Sequence, residues 1–341
     1  MGISEMPRRW SFITYQRRWW FPRKLWRIIQ EEAAERDTWI QIKGLRQKTG
    51  RGIQASKPVH FRISRWPADN AIVYRLVAPP FVSRKTPDTF VRDIRSFQVR
   101  TFLSGRRSYC FNCHTFSSKT GTGGKMGIQS RYMAGGSYEL PVYFGVYDID
   151  EKRGVKLRLP FDIQMTTYMG WSPDGNKLAL SANQQLVTLS PVVLETQFAG
   201  EPTSVIAIYD LSHNIAYLLP GASDPDLLEM YPCWSRDGES IVYCSAPAGT
   251  HPAQVKYDLW VVPFNEGKGG VSRTIPGASH NGKSNYFPRY SPDGRWLCFC
   301  ESDGGCLIKS SSDLYLLPGD LKGEAHRLEC NAEYAADSWH S

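Results

Sequence analysis

Long apolar runs are missing from this 341-residue sequence. No stretch reaches the about 18 apolar residues that a transmembrane helix needs. No apolar segment of about 7–15 residues before a small-residue cleavage site marks a signal peptide. The G-x-S-x-G elbow of serine hydrolases and the G-x-x-x-x-G-K-[ST] phosphate loop are also missing. The seven histidines form no H-x-x-x-H pair. These absences argue against a membrane-spanning chain, a serine hydrolase and a P-loop nucleotidase.

The most specific chemical motif runs from Cys110 to His114 and reads C-x-x-C-H. This spacing is that of c-type haem attachment. Two thiols bond to the two vinyl groups of one porphyrin, and the adjacent histidine ligates the iron. A C-x-x-C pair can also form a redox disulfide or half of a zinc site. A zinc site would need a second ligand pair, for which Cys298 and Cys300 are the only close cysteines. We expect one covalent haem c on Cys110 and Cys113, and the disulfide and zinc alternatives stay open.

Three stretches of the chain repeat one pattern, an aromatic residue and a serine followed by an Asp-Gly pair. They span residues 168–175, 231–238 and 287–294 and end in W-S-P-D-G, W-S-R-D-G and Y-S-P-D-G. Asp-Gly favours a tight turn, because glycine tolerates positive φ and aspartate caps the turn. Three short apolar runs follow each turn, so each unit would hold four strands. Recurring four-stranded units without helical periodicity are typical of β-propeller blades.

The repeat resembles that of the TolB-like propeller family, and the resemblance covers roughly residues 100–341. It implies an all-β propeller of four-stranded TolB-like blades, a periplasmic or exported location and a role in binding proteins. The resemblance does not imply any catalytic or redox activity. Weaker copies near residues 65–74 and 113–117 raise the expected count to about six blades, the last one incomplete after residue 337. The expected domains are a basic, aromatic extension over residues 1–57 and a propeller over residues 58–341, with C-x-x-C-H in an early blade.

The register of the repeat suggests ligands for the haem iron. Aligning the repeat aromatics places His114 and Met169 at one position, and the unfinished last copy adds His340. Because this position falls in the innermost strand of a blade, we expect all three side chains near one end of the central channel. His114 would be the proximal ligand. Met169 is the first candidate for the distal ligand, since a His/Met pair raises the haem potential, and His340 is the second. Met126 or Met133 could instead fold back, and a vacant iron position is a further alternative.

Positive charge is concentrated in the first 60 residues, which hold 13 of the 41 Lys/Arg and 5 of the 33 Asp/Glu. The net charge of +8 therefore belongs to this segment. Five of the eleven tryptophans lie there too, and residues 23–37 have the pattern of a short helix. Tryptophan among Arg and Lys suits a membrane surface, which residues 1–40 would contact. The same mixture suits packing against protein or, less well, nucleic acid.

Together these features predict a haem c-bearing propeller that serves as an electron-transfer or redox subunit of a larger assembly. A single haem passes electrons only when another redox centre comes close, so other subunits or redox proteins are the expected partners. Two alternatives remain: a non-catalytic protein-binding propeller with a structural C-x-x-C pair, and a haem enzyme that acts on a small nitrogen or oxygen species.

Overall fold

A computed structural model of the chain describes residues 11–15, 19–45, 53–64, 71–75, 88–94, 96, 98–104, 109–117, 124–134, 137–159, 166–182, 187–189, 196–198, 203–250, 254–306, 309–332 and 337. The contacts divide the chain into two compact units, Met1–Asp69 and Asn70–Ser341.

The first unit contains one helix and two small antiparallel sheets. The helix is α1 (Arg23–Glu32), and the strands are β1 (Asp37–Ile40), β2 (Lys43–Leu45), β3 (Ile53–Ala55) and β4 (Val59–Arg62). Strand β1 pairs with β4, and β2 pairs with β3. The expected helix over residues 23–37 ends early, at Glu32: the Ala33 amide still donates to the Ile29 carbonyl, but Ala34 already forms a bridge with Ile63. This unit includes β4, which pairs with β1, and runs to Asp69; the sequence predicts the extension over residues 1–57.

The second unit is a β-propeller whose blades follow one another along the chain. The first blade has three described strands, and each of the other four has four. The strands, in chain order, are β5 (Ala71–Arg75), β6 (Thr89–Asp93), β7 (Val99–Leu103), β8 (Tyr109–Phe116), β9 (Lys125–Ala134), β10 (Ser137–Asp148), β11 (Arg153–Lys156), β12 (Thr166–Trp171), β13 (Lys177–Ala182), β14 (Val187–Leu189), β15 (Thr196–Phe198), β16 (Val205–Asp210), β17 (Ile215–Leu218), β18 (Leu227–Trp234), β19 (Ser240–Pro247), β20 (Asp258–Pro263), β21 (Arg273–Thr274), β22 (Ser284–Tyr290), β23 (Trp296–Ser302), β24 (Asp313–Pro318) and β25 (His326–Arg327). The third blade is β12-β13-β16-β17, with the β14–β15 hairpin inserted between its second and third strands.

The described residues form five blades, so the expectation of about six was wrong. The copy near residues 65–74 runs into β5, the first strand of the β5-β6-β7 sheet, and so accounts for the first blade. The surplus in the expected count is the incomplete copy at the end of the chain. The expected incomplete blade at the end of the chain falls on residues 337–341, of which all but Asp337 lie outside the described residues.

The predicted Asp-Gly turns are present, and a serine organises each of them. The glycines have φ between 68° and 78°, the left-handed region that other residues avoid. In the fourth blade, Ser235 Oγ donates to Asp237 Oδ1 at 2.6 Å and accepts from the Ser240 amide at 3.0 Å. The same arrangement recurs at Ser291 and Asp293. The W-S-P-D-G pattern therefore encodes a hydrogen-bonded turn between the first two strands of a blade.

The core lies between consecutive blades. One cluster joins the second and third blades, another the third and fourth, and the largest joins the fourth and fifth. Trp171 spans the first of these boundaries, with its indole Nε1 donating to the Thr115 carbonyl at 3.0 Å. In the part of the chain that is described, no helix has the length and apolarity needed to cross a bilayer.

Candidate functional site

The C-x-x-C-H motif lies in β8, the innermost strand of the second blade. Cys110 pairs with Arg131 of β9, and regular pairing continues to Asn112. The register then shifts, and it resumes only at Thr115. Cys113 and His114 therefore lie in a β-bulge, where two residues oppose one and ladder hydrogen bonds are lost. The side chains of Cys110 and Cys113 lie outside the described part of the structure.

The same bulge occurs in the innermost strands of the fourth and fifth blades. There it falls between Met230 and Cys233 and between Tyr286 and Arg289. His114 thus shares its repeat position with two prolines, Pro232 and Pro288, as the sequence alignment predicted. In the third blade the register shift begins one residue earlier, so that Met169 already pairs regularly with Leu180. Met169 therefore lies just beyond the bulge, whereas His114 lies within it.

Aromatic residues occupy the bulge position of three blades and pack against one another. They are Tyr168, Tyr231 and Phe287, each 5% exposed or less. The ring of Tyr231 lies 4.2 Å from that of Tyr168 and 4.3 Å from that of Phe287, centroid to centroid. Tyr231 and Phe287 both have φ of 55°, a conformation that costs energy for aromatic residues. The strained bulges thus bring the rings together where the innermost strands meet. In the second blade the same repeat position is Cys113.

The polar groups around this aromatic cluster are held neutral. Tyr231 Oη lies 3.4 Å from Cys306 Sγ, and Tyr257 Oη donates to Met230 Sδ at 3.2 Å. Burial raises the pKa of the Tyr231 phenol well above its usual range and the pKa of the Cys306 thiol to about 12. A thiol with so high a pKa is not a thiolate at neutral pH, so Cys306 is not poised as a nucleophile.

His114 faces the first blade. Its ring is half-buried and lies 5.7 Å from the ring of Phe116, in an edge-on arrangement. Phe116 in turn lies 6.4 Å from Phe102 of strand β7. These three rings form a chain of contacts between the second blade and the first.

Met169 lies on the other face of the second blade. Its sulfur packs so closely on Gly127 of β9 that a Cβ there would lie 2.6 Å from it. The methyl group of Thr115, which pairs with Gly127, lines the same spot. Because Thr115 and Phe116 are successive strand residues, they point to opposite faces of the sheet. The described contacts thus place Met169 against Gly127 and the ring of His114 against Phe116.

The remaining candidate ligands are placed only in part. His340 and the side chain of Met133 lie outside the described residues, and the Met126 side chain is fully buried. Among the described residues, no group of three or more His, Cys, Asp or Glu side chains could hold a metal ion.

Sequence reasoning missed Glu229, which is buried between the third and fourth blades. Glu229 is 1% exposed, and its Oε2 has no hydrogen-bond partner among the described residues. Burial raises the pKa of this carboxyl to about 8, and the nearby Asp224 adds to the rise, although the Asp224 and Ile206 amides donate to it and oppose the rise. Strand β18 begins L-L-E-M, and a carboxylate inside such an apolar run was the available signal.

Of the comparisons with known proteins, the likeness to the solved structure of TolB bears on the fold. No protein-family model matches the chain. An uncharacterized protein of Agrobacterium fabrum is 29% identical over a match covering 40% of this chain and 50% of that protein, so the chain spans about half the length of this curated relative. TolB from Acinetobacter baumannii gives a TM-score of 0.50 at 14% identity, covering 87% of this chain and 70% of TolB. A puromycin-hydrolyzing peptidase of Mycobacterium tuberculosis gives 0.49 at 13%, covering 78% and 38%. The likeness to TolB confirms the TolB-like β-propeller and extends no further than the fold.

Proposed function

We propose that this chain is a haem c-bearing β-propeller that transfers electrons within a larger protein assembly. The observation that carries the proposal is the position of C-x-x-C-H at the bulge of an innermost strand. In a regular antiparallel strand, every residue is held to its neighbour across the ladder. At a bulge, two successive residues are released from that constraint. A covalent ligand could therefore be accommodated here at lower cost than in the middle of a strand.

Three residues would hold the haem. The thiols of Cys110 and Cys113 would form the thioether bonds, and His114 would ligate the iron. Haem c supplies a one-electron change at iron when it is bound. The edge contact with Phe116 would limit rotation of the His114 ring and so orient its nitrogen.

The second axial position is a separate question. Met169 would take it as the first candidate, and its sulfur, now packed on Gly127 in the core between the second and third blades, would have to move to reach the iron. His340 is the second candidate, and Met126 and Met133 are the further protein ligands that the sequence offers. A position without any protein ligand would suit the haem enzyme alternative, which acts on a small nitrogen or oxygen species.

The proposed setting is the periplasm or another exported compartment. Covalent haem attachment of this type is an exported process, and the TolB-like fold supports the same location. The partners would be protein subunits or redox proteins, because one haem needs a second centre nearby. Propellers commonly bind proteins through the loops at their faces.

An absorption spectrum of the full chain tests the haem proposal. The protein should be produced with an added export signal in bacteria that carry the haem c attachment machinery. We expect a Soret band that persists after acid-acetone extraction and a pyridine haemochrome spectrum of c type. The double variant Cys110→Ala/Cys113→Ala should lose both signals. The control variant Cys330→Ser, at an exposed thiol, should keep them. A wild-type chain without a Soret band would contradict the proposal.

Carbon monoxide distinguishes the electron carrier from the enzyme. A reduced haem with two protein ligands should not bind carbon monoxide without denaturant, whereas a vacant position should bind it at once. Carbon monoxide binding would favour the haem enzyme that acts on a small nitrogen or oxygen species over the electron carrier.

A protein-binding module without haem is the second candidate. The packing of Tyr168, Tyr231 and Phe287 favours it, because these rings fill the centre of the propeller with apolar side chains and leave binding to its outer faces. If the doubly substituted cysteine variant pulls down the same partners as the wild type, the C-x-x-C pair has only a structural role.

A further inference from the structure

Aromatic side chains at the start of the described chain are exposed although they touch one another. Phe12 is 46% exposed and Trp19 37%, and Trp20, next to Trp19 in the chain, is 60% exposed. Ring contacts of 5.0 Å and 4.8 Å link Phe12 to Trp19 and Trp19 to Phe21. Exposing contiguous aromatic surface to water is costly, and such a patch usually marks an interaction site. We call the patch formed by Phe12, Trp19, Trp20 and Phe21 the aromatic patch.

The aromatic patch leads directly into a helix that carries exposed cations. Phe21 lies 5.5 Å from Trp26 of α1, so the rings are anchored on the helix. Ile29 is the buried residue of α1, whereas Arg23, Lys24 and Arg27 are exposed. Across the described residues, none of these three cations pairs with a carboxylate. Rings and unpaired cations therefore occur side by side, in a segment that carries the whole net charge of the chain.

We propose that the aromatic patch and the cations of α1 bind the surface of an anionic lipid bilayer. Tryptophan and tyrosine rings reside favourably at the level of the lipid headgroups, where one part of the ring is apolar and another is polar. Lysine and arginine beside them pair with headgroup phosphates. The charge of the segment is complementary to such a surface. The chain would thus rest on the membrane without crossing it.

A bilayer suits these residues better than a protein or a nucleic acid does. The buried centre of a protein interface is depleted of charge, whereas here the cations stand next to the exposed rings. A nucleic-acid site would place the rings singly, so that bases could stack on them. Here Trp19 already touches Phe12 and Phe21, so its faces are partly occupied.

Vesicle co-sedimentation of the full chain tests this inference. Vesicles of phosphatidylcholine with phosphatidylglycerol should sediment the protein, and vesicles of phosphatidylcholine alone should do so far less. Each cation near an anionic surface contributes about fivefold in affinity, so the variant Arg23→Gln/Lys24→Gln/Arg27→Gln should bind on the order of a hundredfold more weakly. Raising the salt concentration should weaken the wild type in the same direction.

Matched variants separate the patch from general charge. The variant Arg153→Gln/Arg236→Gln/Lys322→Gln removes three exposed cations from the propeller and should bind like the wild type. Trp20→Ala should weaken binding, whereas Trp296→Ala, which removes a propeller tryptophan that is 40% exposed, should not. If the variant that lacks all three cations of α1 does not fold, as judged by circular dichroism, the single variants Lys24→Gln and Trp20→Ala replace it.

Three outcomes would overturn the inference. One is the absence of binding to any vesicle. Another is equal binding to neutral and anionic vesicles. The third is binding to single-stranded DNA, but not to vesicles, with the same dependence on the three cations. None of these readouts involves haem, so the inference stands or fails independently of the proposed function.

Discussion

The indole Nε1 of Trp234 donates a 3.1 Å hydrogen bond to the carbonyl oxygen of Gly170, one blade earlier in the propeller. Trp171 makes the equivalent bond to Thr115, again one blade earlier. In the third and fourth blades, the tryptophan that opens the turn therefore ties its blade to the one before. The indole N–H gives tryptophan a role at this repeat position that a purely apolar ring could not fill.

Replacing Trp234 with phenylalanine should destabilise the propeller. The ring remains apolar, but the buried carbonyl of Gly170 loses its donor, which costs about 1–3 kcal/mol. Chemical denaturation should show a lower midpoint with little change in slope. The control Trp296→Phe alters a tryptophan that is 40% exposed and should change the midpoint much less. If the two substitutions lowered the denaturation midpoint equally, the interblade hydrogen bond would have no special role in stability.

Gly170 should not tolerate a side chain. A Cβ at this residue would lie 2.5 Å from the carbonyl oxygen of Pro232, a backbone atom that cannot move aside easily. We expect Gly170→Ala to cost about 1–3 kcal/mol or more, as overpacking does. Gly44 provides the control, because a Cβ there meets no heavy atom within 4 Å. Thermal denaturation that gives Gly170→Ala the stability of the wild type would show that blades three and four can separate slightly.

The buried carboxyl of Glu229 should make stability fall as pH rises. Its pKa is raised to about 8 in the folded chain, so the folded state binds more protons than the unfolded state between about pH 4.5 and 8. Stability is therefore greatest below this window and declines through it. Glu229→Gln imitates the protonated carboxyl and should flatten the decline, with a gain of the order of a few kcal/mol above pH 8. The groups that face Glu229 here are Asp224 and Tyr243.

Measuring the unfolding free energy of Glu229→Gln from pH 5 to 9 checks this expectation. Glu239→Gln, at an exposed carboxylate, is the control and should leave the slope unchanged. If the unfolding free energy of Glu229→Gln fell with pH as steeply as that of the wild type, another group would be responsible for the pH dependence.

Asp293 should make the stability of the folded chain fall as pH decreases, in the acid range. Hydrogen bonds from Ser291 and Arg295 lower the pKa of Asp293 from 3.8 to about 2. Its contribution to stability is therefore complete above about pH 4 and is lost as pH falls through 2. Asp293→Asn should melt at a lower temperature than the wild type at pH 6, and the difference should disappear near pH 2. A constant difference over this range would assign the effect to the turn geometry rather than to the charge.

Short-range patterns predicted the architecture of the propeller. Asp237 and Gly238, for example, need only neighbouring residues to form their turn, and the apolar strands that follow have no alternative to packing between blades. The predicted second strand and turn of each blade are therefore present. The blade count was less accurate, because the sixth expected blade depended on one short pattern near the end of the sequence, and a local pattern does not record which strands pair beside it.

The sequence by itself determined the repeat, the strand order within each blade and the C-x-x-C-H spacing, since each depends on residues close together in the chain. Only the tertiary structure decided which faces the candidate ligands occupy. The bulge lies one residue earlier in the third blade than in the second, so Met169 is held by regular pairing whereas His114 lies within a bulge, although the sequence places both at one repeat position. The burial of Glu229 was decided in the same way, by residues of another blade that close over it.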